Sequence, residues 1–489
     1  MIRLALLNLF IFGVIIYAWR DWYKSLCGLI LLMAVMEHPD MPKTLFGIQG
    51  LNPWNIGMAI TVLAWWVHRQ KEGLSWDLPR KMNVLLVLCL IFILIGFYRM
   101  LIDRGGLIEY ALITETETPS TAYLWGEHLI NSIKWVIPGL MLYDGCRSRS
   151  RFVMGLISLL GIYFLLAVQV IKWMPLSSVA SGDILTASSA KILLHEIGYH
   201  RVNLSVMLAG ASWAIFSTRG LLSNRKYKIL VLAASLAVLF GQALTAGRAG
   251  YVTWAVVGFS LCLVRWRRYL LVAPVIVILI AGLIPGTAER IFQGFDAESR
   301  DTNVLVERFD SNKMVDPEGR ADLYTISAGR NIAWPYVIEK IWKAPFWGYG
   351  REAMQRTGIS AFLWQEFGES FPHPHNAYLQ WILDNGWIGF LPVAIFYLLL
   401  LKYSLSLFRD SRNPIFVTIG GVTLSLVLAL LAASFSSQTF YPREGAIGMW
   451  CAIGLMLRIF VERSKLPEGS PPSVLETLGK DVEKTDFVV

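Results

Sequence analysis

Apolar stretches of about 17–22 residues recur along most of this 489-residue chain, and each is long enough to cross the hydrocarbon core of a membrane as a helix. With 55% hydrophobic and only 16% charged residues, the composition excludes an ordinary soluble domain. Backbone groups find no water inside a bilayer, so the spans have to be helical. The pattern predicts an all-α polytopic membrane protein with about 12–13 transmembrane helices, the second of them short enough to be a half-span or an interfacial helix. The predicted spans lie near 3–19, 25–36, 54–68, 82–101, 123–143, 152–171, 199–217, 229–247, 249–264, 269–286, 376–401, 414–434 and 443–460.

Lysine and arginine clusters predict the orientation of these spans, because basic residues are enriched in cytoplasmic connections. The clusters occupy alternate connections, and they account for much of the net charge of +9, so no nucleic-acid partner is needed to explain it. The intervening connections then face outward. The outward connections lie near 37–53, 102–122, 172–198, 287–375 and 435–442.

The chain divides into four predicted regions. Residues 1–286 form transmembrane helices, 287–375 an outer and partly helical domain, 376–461 the C-terminal transmembrane helices, and 462–489 a flexible cytoplasmic tail. The outer segment is too long for a passive connection. Within it, the apolar spacing from Asn331 to Trp342 predicts a helix that lies along the membrane surface. None of the five cysteines lies in an outward connection, so we expect neither a disulfide nor a thiolate metal site.

The motif His373-Pro-His-Asn376 ends the outer segment and begins an apolar helix. Pro374 suits a first helical turn, which predicts His373 near the N-cap and both His375 and Asn376 in the first turn. A helix N-terminus favours anions and keeps a histidine neutral, so an anion site and a candidate base coincide here. Two histidines could instead indicate a metal site. However, Pro374 is expected to direct them apart, and no further ligand stands at helical spacing.

Three arginines are further candidates, and each also has an ordinary interpretation. Arg248 lies in a tight outward turn, where it could reach water from a helix end or act as an intramembrane cation beside two glycines. Arg330 could bind phosphate oxygens or be a solvated loop charge. Arg201 follows His200 at another outward helix end, where interface anchoring is the favoured interpretation.

Taken in order along the chain, these motifs resemble the O-antigen ligase and O-antigen polymerase superfamily of bacterial envelope glycosyltransferases. The resemblance covers roughly residues 195–460, and the short first spans also resemble the exosortase-associated O-glycosylation ligase branch. Asp384 and Asn385 stand where the family often has a glutamate, and Ala-Gly-Arg248 replaces the frequent Ser-Arg-Gly. The motifs are Leu244-Thr-Ala-Gly-Arg248-Ala-Gly250, Gly329-Arg330-X3-Trp334, Pro345-X2-Gly-X-Gly350 and His375-Asn-X-Tyr-Leu-X5-Asn-Gly-X2-Gly389.

The resemblance implies a GT-C-like transferase in the bacterial inner membrane, with its active site facing the periplasm. The implied donor is a glycan on undecaprenyl diphosphate, and the acceptor is a hydroxyl of a glycan, lipid or protein. Neither a cofactor nor a metal is implied. By motif match, His375 is the catalytic residue and Arg248 and Arg330 bind the diphosphate; we assign supporting roles to the other three candidates. These are His373, Asn376 and Arg201.

Other functions remain open at this level. Within the family, ligation onto another acceptor and polymerisation of a growing glycan both fit the motifs. A transporter or lipid-linked glycan flippase would favour charged residues through the membrane midplane and inverted repeats, and the sequence shows neither clearly. A purely structural membrane protein would leave the outer segment and the His-Pro-His-Asn motif unexplained.

Overall fold

The computed structural model describes residues 2–45, 48–292, 327, 329–436 and 438–465. Helices dominate this part of the chain, which confirms the all-α prediction; its strands are one pair of two residues each, Thr44–Leu45 and Ile48–Gln49. The charged part of the predicted outer domain at 293–326 and the predicted tail from 466 onward lie outside the described residues. The described α-helices are α1 Ile2–Tyr17, α2 Trp22–Met36, α3 Pro53–Lys71, α4 Arg80–Ile102, α5 Gly105–Ile113, α6 Thr121–Leu124, α7 Asn131–Lys134, α8 Ile137–Gly145, α9 Arg149–Trp173, α10 Gly182–Glu196, α11 Arg201–Ser217, α12 Arg225–Leu244, α13 Arg248–Val264, α14 Val272–Leu283, α15 Pro285–Phe292, α16 Arg330–Lys343, α17 Ala353–Arg356, α18 Ile359–Phe367, α19 Ala377–Arg409, α20 Pro414–Ala433 and α21 Ile447–Ser464.

Every predicted span coincides with helix, but the helices differ in length. Among the described residues, six are long and apolar enough to cross a membrane, and a seventh arises if a pair bent by 113° counts as one span. The predicted span 123–143 is interrupted by a π-helical turn at Trp125–Ile130. The six helices are Arg80–Ile102, Arg149–Trp173, Arg225–Leu244, Ala377–Arg409, Pro414–Ala433 and Glu444–Ser464.

Helix α11 lies at the centre of the bundle, packed against α12, α13 and α20. Thirteen of its seventeen residues are buried, as expected of a helix that is apolar on all sides. Small residues permit the close contact: a Cβ added at Gly210 would lie 2.7 Å from the Cβ of Ala429 on α20. This packing brings the N-terminus of α11, with Arg201, against the turn before α13.

The outer segment forms a small helical layer on the first half of α19. Helix α16 confirms the amphipathic helix predicted at Asn331 to Trp342. Its Ile332, Val337 and Ile341 side chains pack against α17, α18 and α19, whereas Trp342 is exposed. The layer has its own apolar core and therefore holds a fixed position over the bundle.

Helix α19 is interrupted at Gly386, where the backbone has φ +66° and ψ −177°. The turn 345–350 pairs with this break. Tyr349 N–H donates to the carbonyl of Leu383 over 2.9 Å, and Trp387 N–H donates to the carbonyl of Pro345 over 2.8 Å. Backbone groups that the break removes from the helix are thus satisfied by the outer layer.

We expect Gly386→Ala to destabilise the protein by more than about 1–3 kcal/mol, because the left-handed φ strains any side chain and the new Cβ would overlap the carbonyl of Phe346. Thermal unfolding of purified protein in detergent measures the effect. Gly282→Ala is the matched control, since a Cβ there meets no atom within 4 Å. Equal unfolding temperatures for the two variants would contradict the assigned role of the break.

Candidate functional site

The residues before α19 adopt a turn that differs from the predicted first helical turn. The helix begins at Ala377, and Asn376 is its N-cap: its side-chain oxygen accepts hydrogen bonds from Tyr378 N–H at 3.0 Å and Leu379 N–H at 3.2 Å. Pro374 and His375 therefore lie outside the helix, and the predicted placement was wrong. An asparagine is a stronger N-cap than a histidine, which accounts for the shift.

The two histidines lie side by side, contrary to the expectation that Pro374 separates them. Their ring centres are 4.2 Å apart. His375 has a positive φ of 50°, so the chain reverses direction and both imidazoles lie together. Trp334 of α16 holds the turn, because its indole N–H donates to the carbonyl of Pro374 over 2.9 Å. His373 and His375 consequently form one unit.

Arg330 is the first residue of α16, after Gly329 in a left-handed conformation. Its Nη2 donates to Ser436 Oγ over 3.2 Å, while its Nε is buried and has no hydrogen-bond partner among the described residues. Burial lowers the pKa of this guanidinium from its ordinary value. A partly buried guanidinium with an unsatisfied donor is suited to an anionic ligand.

Arg248 opens α13 in a turn held by α11. Arg201 Nη1 donates to the carbonyl of Ala246 over 2.9 Å, and Ser205 Oγ donates to the carbonyl of Gly247 over 3.1 Å. A Cβ at Gly250 would overlap Ser205, so the glycines admit α11 at close range, as predicted. The close contact fixes the position of Arg248 at the end of the bundle.

Arg201, Arg290 and Arg330, from three separate segments, lie within electrostatic reach of Arg248, and the four are called the cationic cluster below. The charges of Arg290, Arg330 and Arg201 all act on Arg248. The positive charge of Arg330 also lowers the pKa of His375. The sequence analysis singled out the other three but missed Arg290; its only signal was a basic residue shortly after a predicted outward span end.

His375 is neutral near pH 7. Burial, followed by the positive charges of His373, Arg330 and His200, lowers the pKa of His375 to about 3. Neutral imidazole was predicted from a helix N-terminus, but the cause is burial beside the cationic cluster. A neutral imidazole can accept a proton, so the arrangement combines a base with several cations.

A buried polar network adjoins the histidine pair, and the sequence analysis missed it. The Arg351 guanidinium lies 3.3 Å from the centre of the Tyr441 ring, and Tyr441 donates to Asp384 Oδ2 over 2.9 Å. Glu352 Oε1 lies 3.5 Å from Arg351 Nε and 3.4 Å from His128 Nδ1. The available signal was the Arg-Glu pair directly after the Pro345-X2-Gly-X-Gly350 motif.

His373 connects this network with the cationic cluster. Burial lowers the pKa of His373 to about 4, although the Glu352 carboxylate opposes the change. Burial alone would raise the pKa of Glu352, but the charges of His128, Arg351 and His373 outweigh it and lower that pKa. The charges of Glu352 and Arg330 thus both influence the His373 imidazole, in opposite directions.

An apolar cavity of about 210 Å³ opens next to the buried network. It lies between α4, α8, α19 and α21, and Trp381 and Phe440 in its wall flank Tyr441. Lined by aliphatic and aromatic side chains, it suits a hydrocarbon ligand. Within the described ranges, no three His, Cys, Asp or Glu side chains are grouped so as to hold a metal ion.

Comparison with known protein families places an O-antigen ligase domain at residues 230–394. The matched region contains Arg248, Arg330 and the histidine pair, and the match confirms the resemblance to the O-antigen ligase superfamily. It does not test the exosortase-associated branch. A comparison with curated proteins finds no match. The family is one of enzymes with ligase- or polymerase-type activity on lipid-linked glycans.

We expect His375 to titrate below the ordinary histidine value of about 6.5, because burial and neighbouring cations disfavour its charged form. Diethyl pyrocarbonate acylates only neutral imidazole, so residue-resolved mass spectrometry across pH gives the midpoint. A histidine peptide in the same reaction is the control. A His375 midpoint at or above that of the peptide would contradict the assigned environment.

Proposed function

We propose that this member of the O-antigen ligase superfamily transfers a glycan from undecaprenyl diphosphate to a hydroxyl acceptor at the periplasmic face of the bacterial inner membrane. The proposal rests on the relation between three segments that are far apart in the sequence. The turn before α13, the start of α16 and the histidine turn before α19 place Arg330 within electrostatic reach of both Arg248 and His375.

The cationic cluster would bind the leaving diphosphate. Negative charge develops on the diphosphate oxygen as its bond to the anomeric carbon breaks, and guanidinium groups that are already in place stabilise that charge. Arg330 offers an unsatisfied buried Nε, and Arg248 and Arg201 lie within electrostatic reach of one another. Arginine is suited to this role because its planar fork matches two phosphate oxygens at once.

His375 would act as the general base. It would take the proton of the acceptor hydroxyl while the hydroxyl oxygen attacks the anomeric carbon, and the diphosphate would leave with the electron pair of the broken bond. The low pKa keeps the imidazole unprotonated before the acceptor binds. The dianionic donor would raise that pKa on binding and so make His375 a stronger base in the complex.

The apolar cavity between α4, α8, α19 and α21 would hold part of the polyprenyl chain. Its wall at Trp381 and Phe440 lies beside the network that contains Tyr441 and Asp384. A lipid anchored there would lie against the outer layer, where the diphosphate could reach the arginines. The buried network would then act as the boundary between hydrocarbon and the polar site.

Ligation, which we favour, and polymerisation differ in the acceptor that receives the glycan. Deleting the gene leaves a lipid-linked glycan whose length can be measured by mass spectrometry. Full-length chains on the carrier would support ligation, whereas single repeat units would support polymerisation.

We expect His375→Ala to reduce transfer by roughly 10²–10⁴-fold, the usual contribution of a general base. His373→Ala should also lose substantial activity, because its ring packs against His375. Arg330→Lys and Arg248→Lys should fail because lysine loses the two-point fork. Purified variants are assayed with native lipid-linked donor. His195→Ala and Arg225→Lys, both at exposed positions, are the matched controls. Near-wild-type transfer by His375→Ala would remove the base from the scheme.

We further expect transfer to continue in excess EDTA, because arginines rather than a divalent cation would balance the diphosphate charge. The assay uses purified enzyme that has been dialysed against chelator. Activity that is lost and then restored by a single divalent ion would indicate a metal-assisted site instead.

A further inference from the structure

A second pocket has a volume of about 670 Å³. The π-helical turn Trp125–Ile130 separates this pocket from the buried network. Its walls come from the end of α2, the start of α3, the π-turn with α7, and Glu444. The residues that define its chemistry are Trp54, Trp125, Trp135, Asn55, Asn131 and Glu127. None of them belongs to the site described above.

The lining combines aromatic faces with fixed amide and carboxylate groups. Trp125 is 46% exposed and lines the pocket, so one large ring is available for stacking. Asn131 Nδ2 donates to Glu127 Oε2 over 2.7 Å, and Lys134 Nζ donates to Asn55 Oδ1 over 3.3 Å. Sugar rings have apolar C–H faces and hydroxyl edges, and this combination matches both.

Trp135 gives an independent indication of a ligand. Its side chain is 5% exposed, it lines the pocket, and its Nε1 has no hydrogen-bond partner within the described part of the chain. A buried indole N–H without an acceptor is costly, and a ligand hydroxyl would satisfy it. The ring is held in place by Trp54, whose ring centre is 4.9 Å away, and by Lys134.

The pocket adjoins the proposed reaction centre through a single turn of chain. Tyr123 lines the pocket, and its ring meets the His128 ring edge-on at 6.3 Å. His128 in turn contacts Glu352, whose charge acts on His373. The side chain of His128 therefore stands between the pocket and the buried network.

We propose that this pocket binds sugar residues of a glycan substrate, an inference that rests on the glycan transfer proposed above. Three glutamates, Glu37, Glu127 and Glu444, line the pocket with two lysines, Lys43 and Lys134. Because Lys43 pairs with Glu37 over 3.0 Å, the lining offers no excess of positive charge to an anionic ligand, so the sugars would be neutral or basic. The same chemistry is present in the sugars of the donor and in those of a glycan acceptor. The kinetics of the two substrates distinguish these sources.

The test uses full-length protein in nanodiscs and two variants, Trp125→Ala and Trp135→Phe. Trp135→Phe keeps an aromatic side chain but removes the indole N–H together with part of the ring, and it covers the case in which Trp125→Ala fails to fold after losing its contact with Phe97. Loss of one hydrogen bond predicts a KM increase of about 2–10-fold for one substrate, with kcat little changed. An increase in the KM for the donor assigns the pocket to the donor glycan. An increase in the KM for the acceptor assigns it to the acceptor glycan. Trp66→Ala, exposed near the other end of α3, is the matched control.

Binding is measured separately from transfer, with the oligosaccharide released from the native lipid-linked donor by mild acid and with the free acceptor glycan as probes. Quenching of tryptophan fluorescence that weakens in both variants supports the pocket, even if the wild-type protein proves inactive in transfer. Unchanged KM values and unchanged quenching in both variants overturn the proposal while leaving transfer at His375 intact. A fall in kcat alone indicates a purely structural role and overturns it as well.

Discussion

Main-chain hydrogen bonds between turn 345–350 and the interrupted helix Ala377–Arg409 hold the outer layer on the membrane bundle, and the rest of the site depends on them. The break at Gly386 removes carbonyls and N–H groups from the helix, and a buried backbone cannot leave such groups unsatisfied. The turn supplies the missing partners. As a result Arg351 and Glu352, which directly follow the turn, are buried beside Asp384, and the histidine turn lies over the end of the bundle.

Charge is distributed unevenly over this framework. Around Arg351 the carboxylates of Glu352 and Asp384 offset the cation, whereas the cluster of Arg201, Arg248, Arg290 and Arg330 carries a concentration of positive charge. Like charges that are held close together repel one another, and the charge of Asp183 offsets part of this repulsion at Arg290. The histidine pair lies between these two environments, and burial, reinforced by the nearby positive charges, lowers the pKa values of both imidazoles.

The aromatic pocket near Trp125 extends this arrangement away from the bundle. The π-helical turn contributes to both sites, because its wider backbone turn places His128 toward the buried network while Glu127 lines the pocket. Such turns often occur at functional sites because they reorient neighbouring side chains.

The sequence by itself determined the all-helical membrane architecture, the helical course of the predicted spans and helix α16, and it indicated Arg201, Arg248 and Arg330 as candidates. These follow from local properties, since hydropathy and spacing decide whether a segment is a buried helix. It did not determine the start of α19, because the N-cap is Asn376 and not the predicted His373. It also did not determine the contact between the two histidine rings. Only the tertiary structure places Arg290 near Arg248. It also decides that Arg351 and Glu352 lie in the polar network beside the histidine pair. The reason is physical: which charges meet depends on the packing of segments far apart in the chain, and no local pattern encodes that packing.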